Sequence, residues 1–144
     1  MSPALAGTVL AFDFGTQRIG VAVGETHTGL AHALATIPAA CDEETMLAIA
    51  TLVEEWRPAM LVVGLPVHAD GVAHGMTECA RRFARTLERR FALPVELCDE
   101  RFTTQAASSA QREAGARGLR RKLARDRVAA QLILQDYLDR RRTA

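Results

Sequence analysis

The stretch that most constrains the fold is residues 9–22, Val-Leu-Ala-Phe-Asp-Phe-Gly-Thr-Gln-Arg-Ile-Gly-Val-Ala. Residues 9–12 are an apolar run of strand formers that ends on a carboxylate, Asp13. Gly15 and Gly20 bracket a turn, and a second apolar run begins at Ile19. The pattern predicts a β-hairpin with an acid at the end of its first strand. The two-residue period of a strand puts Asp13 on the face of Val9 and Ala11, at the edge of buried surface. A carboxylate there is costly unless it is paired, hydrogen-bonded or bound to a cation. Two readings stand. Asp13 is a turn aspartate accepting from the amides of Gly15 or Thr16, or it belongs to a functional site where other acids converge.

Length and composition bound the alternatives. A chain of 144 residues fits one domain, residues 1–144, and can bury roughly 68–70% of its unfolded surface. No apolar run approaches the ~20 residues of a membrane span, and the N-terminus lacks the basic and apolar regions of a secretory signal. Three widely spaced cysteines, Cys41, Cys79 and Cys98, make neither a disulfide framework nor a zinc motif. A cytoplasmic protein with reduced thiols and no membrane partner is the expectation. Net charge is only +1, but from Gln111 onward ten Arg or Lys face four Asp or Glu. That asymmetry points to a polyanionic partner for the C-terminal part or to a solvated helix face.

Periodicity predicts strands at residues 8–14, 18–24 and 30–37, with Pro38 stopping the third. A helix over residues 44–56 follows, with Met46, Ile49, Val53 and Trp56 at helical intervals and Trp56 assigned to the core. Residues 60–63 are a short continuous apolar run, the pattern of a strand buried on both faces. Residues 64–66 turn the chain, and residues 67–74 read as a loop. A helix over residues 75–91 carries an apolar stripe of Met76, Cys79, Ala80, Phe83, Ala84, Leu87 and Phe91, with five arginines mostly elsewhere. A fifth strand over residues 94–98 ends at Asp99 and Glu100. A short helix over residues 103–112, a mobile glycine- and arginine-rich stretch over residues 115–121, and a last helix over residues 122–140 complete the chain. The order predicts an α/β fold: a three-strand antiparallel meander plus two parallel strands in one mixed sheet, with helices on both faces.

In open sheets of this kind, ligands gather beyond strand ends, and Asp13 and Glu100 both end predicted strands. On the last helix Asp126 lines up with Ala130, Ile133 and Tyr137, the side that faces the sheet. A helix-start aspartate favoured by the dipole, or an ion pair with Arg125 or Arg127, is the competing reading. Three close carboxylates repel one another and are rarely kept together without a cation. Mg²⁺, which takes oxygen ligands and leaves room for water and phosphate, is the natural occupant. Such a site suits phosphodiester cleavage, with one metal activating water and a second steadying the leaving oxygen, the pair roughly 4 Å apart.

Four blocks of the chain carry a resemblance. They are Asp13-Phe14-Gly15-Thr16-Gln17-Arg18-Ile19-Gly20-Val21-Ala22; Val62-Val63-Gly64-Leu65-Pro66 with Asp70-Gly71; Asp99-Glu100-Arg101-Phe102-Thr103-Thr104 with Ala106; and Asp126 with Ala129-Ala130, Leu134-Gln135 and Tyr137-Leu138. In this order they resemble the YqgF/RuvX family, small bacterial proteins of RNase H-like fold. The resemblance implies a nuclease whose acidic triad maps onto Asp13, Glu100 and Asp126, holding Mg²⁺ or Mn²⁺. It also implies a role in 5′-end maturation of pre-16S rRNA during ribosome biogenesis, or alternatively Holliday junction resolution. Gly24-Glu25 stands where the family often has Ser-Asp, and His68 where it often has Asn. Both departures bear on loop contacts and substrate preference rather than on the triad.

The remaining polar residues fit around that reading. Arg18 and Arg101 are candidates to hold a scissile phosphate, with Arg101 equally able to pair with Glu100. Thr103 and Thr104 cap the next helix or bind phosphate at its N-terminus. Asp99 is a supporting acid, or replaces Glu100 if the strand register shifts. Arg120, Arg121, Lys122 and Arg125 make a phosphate-binding edge. The expected partner is nucleic acid, structured RNA or branched DNA, with ribosomal precursor particles behind it; the protein is a monomer or homodimer. Asp13-Phe14-Gly15-Thr16 also resembles the first phosphate loop of actin-like ATPases, although those close two such domains around the nucleotide. An ATP-binding module and a non-catalytic nucleic-acid-binding protein are therefore the readings from other classes.

Overall fold

A computed structural model describes residues 7–15, 17–39, 43–65, 74–99 and 118–143. The elements are β1 (Thr8–Phe14), β2 (Arg18–Glu25), β3 (Leu30–Pro38), α1 (Glu43–Trp56), β4 (Met60–Leu65), α2 (His74–Phe91), β5 (Val95–Asp99) and α3 (Gly118–Thr143). The five strands form one sheet in the order β3-β2-β1-β4-β5. β1, β2 and β3 pair antiparallel, whereas β4 lies parallel to β1 and β5 parallel to β4. This is the mixed sheet that the order of apolar runs predicts.

The period-two alternation of β1 and β2 divides the core. Leu10, Phe12 and Phe14 of β1, with Ile19, Val21 and Val23 of β2, face α1 and α2. Phe83 of α2 packs between two of these rings, 5.9 Å from Phe12 at a steep angle and 5.0 Å from Phe14. Val9, Ala11 and Ala22 face the other way, onto Ala130, Ile133, Leu134, Tyr137 and Leu138 of α3. β4 is buried along its whole length, as a central strand covered on both faces must be. Helices α1 and α2 each stop at a residue in the left-handed conformation, Arg57 (φ 46°) and Ala92 (φ 54°), shortly before Pro58 and Pro94.

Several details correct the sequence reading. β4 runs on through Gly64 and Leu65 because Gly64 pairs with both Asp13 and Cys98, so those residues extend the ladder rather than turn the chain. α3 begins at Gly118, so residues 118–121 are helix rather than a mobile stretch; residues 115–117 and the predicted short helix over 103–112 lie outside the described residues. Trp56 is 37% exposed instead of core. It is the last residue of α1 and overhangs the sheet edge, lining a groove of about 310 Å³ with Leu34 and His32. Cys79 is exposed, at the margin of the α2 stripe, whereas Cys98 is buried; neither is in a disulfide, and Cys41 lies outside the described residues. No described helix is long and apolar enough to cross a membrane.

Candidate active site

One row across the sheet organises the site. Asp13 of β1 stands opposite Gly20 of β2 on one side and Gly64 of β4 on the other, and Gly64 in turn pairs with Cys98 of β5. Laterally paired residues point to the same face, so the Asp13 side chain shares the face of Ala11 and Cys98, which is the α3 face. Neither neighbouring glycine carries a side chain to cover it. Asp13 is half-buried at the carboxyl end of its strand.

Gly20 also sets how close α3 comes. A methyl group placed on Gly20 would stand 1.9 Å from the carbonyl oxygen of Asp126 and 2.5 Å from its carbonyl carbon. The helix backbone at Asp126 therefore rests directly on the strand beside Asp13, one strand spacing of about 4.8 Å away. Gly24, further along β2, makes room for side chains of α3 rather than for its backbone. A methyl there would meet Leu138 at 3.0 Å and Leu134 at 3.1 Å. Alternating small residues, Gly20, Ala22 and Gly24, thus form the bed of α3. Gly20 therefore lies inside β2 rather than at the margin of the turn that the sequence pattern predicts.

The helix is also fixed laterally. Gln135 accepts from the Ala31 amide (3.0 Å) and donates to the Gly29 carbonyl (2.8 Å), while Gln131 donates to the Ala31 carbonyl (3.1 Å). Two glutamines one turn apart thereby tie α3 to β3. Periodicity marks neither for this task, because glutamine on a helix usually faces water, although Gln135 belongs to the fourth block of the resemblance.

Asp126 lies about two turns inside α3, so the helix-start reading fails: the dipole acts within the first turn. The ion-pair reading is realised with Arg125 as a loose partner and, more closely, with Arg18 from another element. Arg18 Nε donates to Asp126 Oδ2 at 2.7 Å, with the two side chains 23% and 15% exposed. Arg125 Nη2 lies 4.0 Å from Oδ1, beyond hydrogen-bonding range. Arg18 is two residues before Gly20 and so shares its face. Its Nη1 reaches Gln17 at 3.5 Å on the exposed side. Of five guanidinium protons, one thus serves Asp126 strongly and another reaches Gln17 at long range.

Asp13 and Asp126 offer hard oxygen donors on one face, the donor chemistry that a divalent cation of the Mg²⁺ class takes. Among the described residues no group of three His, Cys, Asp or Glu side chains assembles. Glu100, Arg101, Thr103 and Thr104 lie outside the described residues, as do His68, Asp70 and Gly71. Of Asp99, Arg120 and Lys122 only the backbone is described, at the end of β5 and at the start of α3. Arg121 is exposed, and Arg125 is half-buried beside Asp126.

Residues 7–140 match the family model RuvX, described as a Holliday junction resolvase. The chain belongs to the RuvX family. A protein of Nitrosospira multiformis is 55% identical over 94% of this chain and 90% of its own length. Another, of Nitrosomonas europaea, is 52% identical over 96% and 94%. Both carry the name "Putative pre-16S rRNA nuclease". Among solved structures, T. thermophilus RuvC in complex with a Holliday junction substrate superposes with a TM-score of 0.56. That match covers 95% of this chain and 96% of RuvC at 14% identity. The RuvX chain shares that architecture: its five-stranded mixed sheet flanked by helices is RNase H-like.

Proposed function

We propose that this RuvX-family chain is a divalent-metal-dependent endonuclease, a single nuclease domain over residues 1–144 that acts in the cytoplasm. Its role in this reading is maturing the 5′ end of pre-16S rRNA within ribosomal precursor particles. The observation that carries the proposal is the backbone contact of Asp126 on Gly20. It rests the backbone of the Asp126 turn on the strand residue paired with Asp13, which supports a shared site for the two acids in a chain whose close relatives bear nuclease names.

Asp13, Glu100 and Asp126 are the residues that would hold Mg²⁺ or Mn²⁺. Glu100 stands two positions past Cys98, whose side chain belongs to the α3-side core, which supports its membership. When bound, the metal supplies an activated water and neutralises charge on the phosphate. The chain's own residues position the substrate. Arg18 keeps Asp126 oriented through Nε and presents its outer N–H groups to a phosphate oxygen. Arg101, Thr103 and Thr104 lie next to Glu100 in sequence and are the further candidates for phosphate contact. Arg120, Arg121, Lys122 and Arg125 form the basic start of α3, which carries the flanking backbone of the nucleic acid with salt-sensitive affinity.

A second reading, resolution of four-way DNA junctions, is favoured by the description of the matching family model. It requires a dimer making paired, symmetric cuts. The test is cleavage of labelled pre-16S 5′-leader RNA and of a four-way DNA junction, side by side, in Mg²⁺ or Mn²⁺, with Asp126→Asn as the control. RNA cut in a metal-dependent way and lost in the variant is the expected result. Junction cleavage with intact RNA would transfer the assignment to the second reading. Cleavage of neither, together with stabilisation by ATP and Mg²⁺, would favour the nucleotide-binding module.

A further inference from the structure

The outward face of α2 has no part in the site above. Its apolar side, Ala80, Phe83, Ala84 and Leu87, is consumed in the core against β1 and β4. The opposite side carries Arg81, Arg82, Arg85 and Arg89, all exposed. At 1.5 Å per residue, Arg81, Arg85 and Arg89 form a ridge about 12 Å long, with Arg82 beside it. Among the described residues none of the four makes an ion pair or a hydrogen bond through its side chain, whereas the neighbouring Arg90 is held by Glu43 of α1. Glu78 and Glu88 are exposed on the same side, so the four guanidinium groups leave a net excess of positive charge there, which a polyanion balances. We propose that this ridge is a second nucleic-acid surface, which grips the phosphate backbone of the substrate at a distance from the cut.

Three features favour a phosphate backbone. The cations are all arginine, whose planar fork grips phosphate in two places. Their spacing of about 6 Å along the helix approaches two nucleotide rises of about 3.4 Å. A membrane surface is disfavoured, because an interfacial helix needs a free apolar face and that of α2 is buried.

Placement decides what the ridge does. β4 runs parallel to β1, so α2, which follows β4, starts at the edge of the sheet that carries Asp13. It then runs back along the face opposite α3. A nucleic acid that engages both the carboxylates and the ridge must pass around that edge. Only a long substrate can do so, and the ridge therefore selects extended, structured RNA over short fragments. This inference rests on the nuclease reading for the identity of the polyanion.

The test compares wild type with the variant carrying Arg81→Gln, Arg82→Gln, Arg85→Gln and Arg89→Gln. Binding of a long stem-loop RNA and of a short single-stranded RNA is followed by anisotropy across a salt series, and Mn²⁺-dependent cleavage of both is measured. For the long RNA the variant should lose about 3 from the log–log salt slope and at least about tenfold in affinity at moderate salt. Binding and cleavage of the short RNA should not change. A version with lysine at all four positions should keep the slope, which separates charge from folding, and thermal melts check both variants. An unchanged slope for the long RNA, or equal weakening for both lengths, would overturn the proposal. So would a wild-type-to-variant difference seen on an acidic peptide and absent on RNA. If the nuclease reading itself is wrong, wild type cuts neither RNA, while the difference in salt slope stays measurable.

Discussion

The two faces of the β1–β2 hairpin are built from the same strands and do opposite work. On the α1/α2 face the side chains are large: Leu10, Phe12, Phe14, Ile19, Val21 and Val23, closed by Phe83. On the α3 face, between Val9 and the strand end, they are small: Ala11, Gly20, Ala22 and Gly24, with Asp13 and Arg18 at the end. Large residues fill volume and hold the helices off at side-chain length. Small ones let a helix backbone settle onto the strand, which is how Asp126 arrives beside Asp13. Core filling and close helix approach are thus assigned to alternate residues of one chain segment.

The sharpest way to break this contrast is to mutate adjacent residues. Phe12→Ala should cost about 3–5 kcal/mol, because it empties a packed site. Asp13→Asn should leave the melting temperature unchanged or raise it, since one carboxylate charge is removed from an acidic site. The same variant should reduce metal-dependent cleavage to background. Thermal melts and the cleavage assay run on both proteins decide it. An Asp13→Asn loss of stability as large as that of Phe12→Ala would make Asp13 a structural turn residue.

Gly20 and Val21 offer the same comparison on β2. Gly20→Ala must push α3 away from the strand, an overpacking expected to cost about 1–3 kcal/mol. It should also weaken Mn²⁺ binding, measured by titration calorimetry, because Asp126 moves with the helix. Val21→Ala should destabilise by a similar amount through lost packing and leave Mn²⁺ affinity alone. Equal Mn²⁺ affinity in the two variants would mean that the approach of α3 does not set the site.

The difference between the faces also explains what the sequence reveals. Period-two alternation and continuous apolar runs are local, and the five strands, the position of Asp13 and the stripe of α3 could be read from them. Features that depend on a neighbour could not. Trp56 continues the helical stripe of α1, yet nothing in its own segment says that the sheet ends beneath it. Gly20 looks like a turn residue until the helix that rests on it is in place. The pairing of Arg18 with Asp126 joins the second strand to the last helix, and Arg125 and Arg127 were the nearer candidates along the chain.

That ion pair supplies a smaller test. Arg18→Gln removes a charge-assisted hydrogen bond from a partly exposed carboxylate, a loss of about 1 kcal/mol after solvent screening. Its effect on metal affinity should have the opposite sign to that of Gly20→Ala. Without the guanidinium, Asp126 is less neutralised, and Mn²⁺ should bind more tightly in the absence of nucleic acid even as cleavage falls. Weaker Mn²⁺ binding would mean that Arg18 is needed to orient Asp126 rather than merely to balance its charge.

The smallest effect lies at the far end of the α3 face, where carboxylate chemistry gives way to ordinary core. Tyr137 is buried on the sheet-facing side of α3, with its hydroxyl donating to Met60 Sδ at 3.2 Å and accepting from Arg141 Nη1 at 3.1 Å. Burial, followed by the bond to Glu96, pushes its pKa from 10.0 up to about 12. Below pH 10 the hydroxyl keeps its proton in both folded and unfolded chains, so it adds no pH dependence. As pH rises from about 10 towards 12 the unfolded chain releases this proton while the folded chain retains it, and stability should fall across that window. Tyr137→Phe should remove this part of the slope, at a cost of about 1 kcal/mol at neutral pH from the lost hydrogen bonds. Tyr137 is the only tyrosine, so tyrosinate absorbance follows a single group. Titration of the folded protein near 10 would mean that the hydroxyl meets water, and that the α3 face is open well beyond the carboxylates.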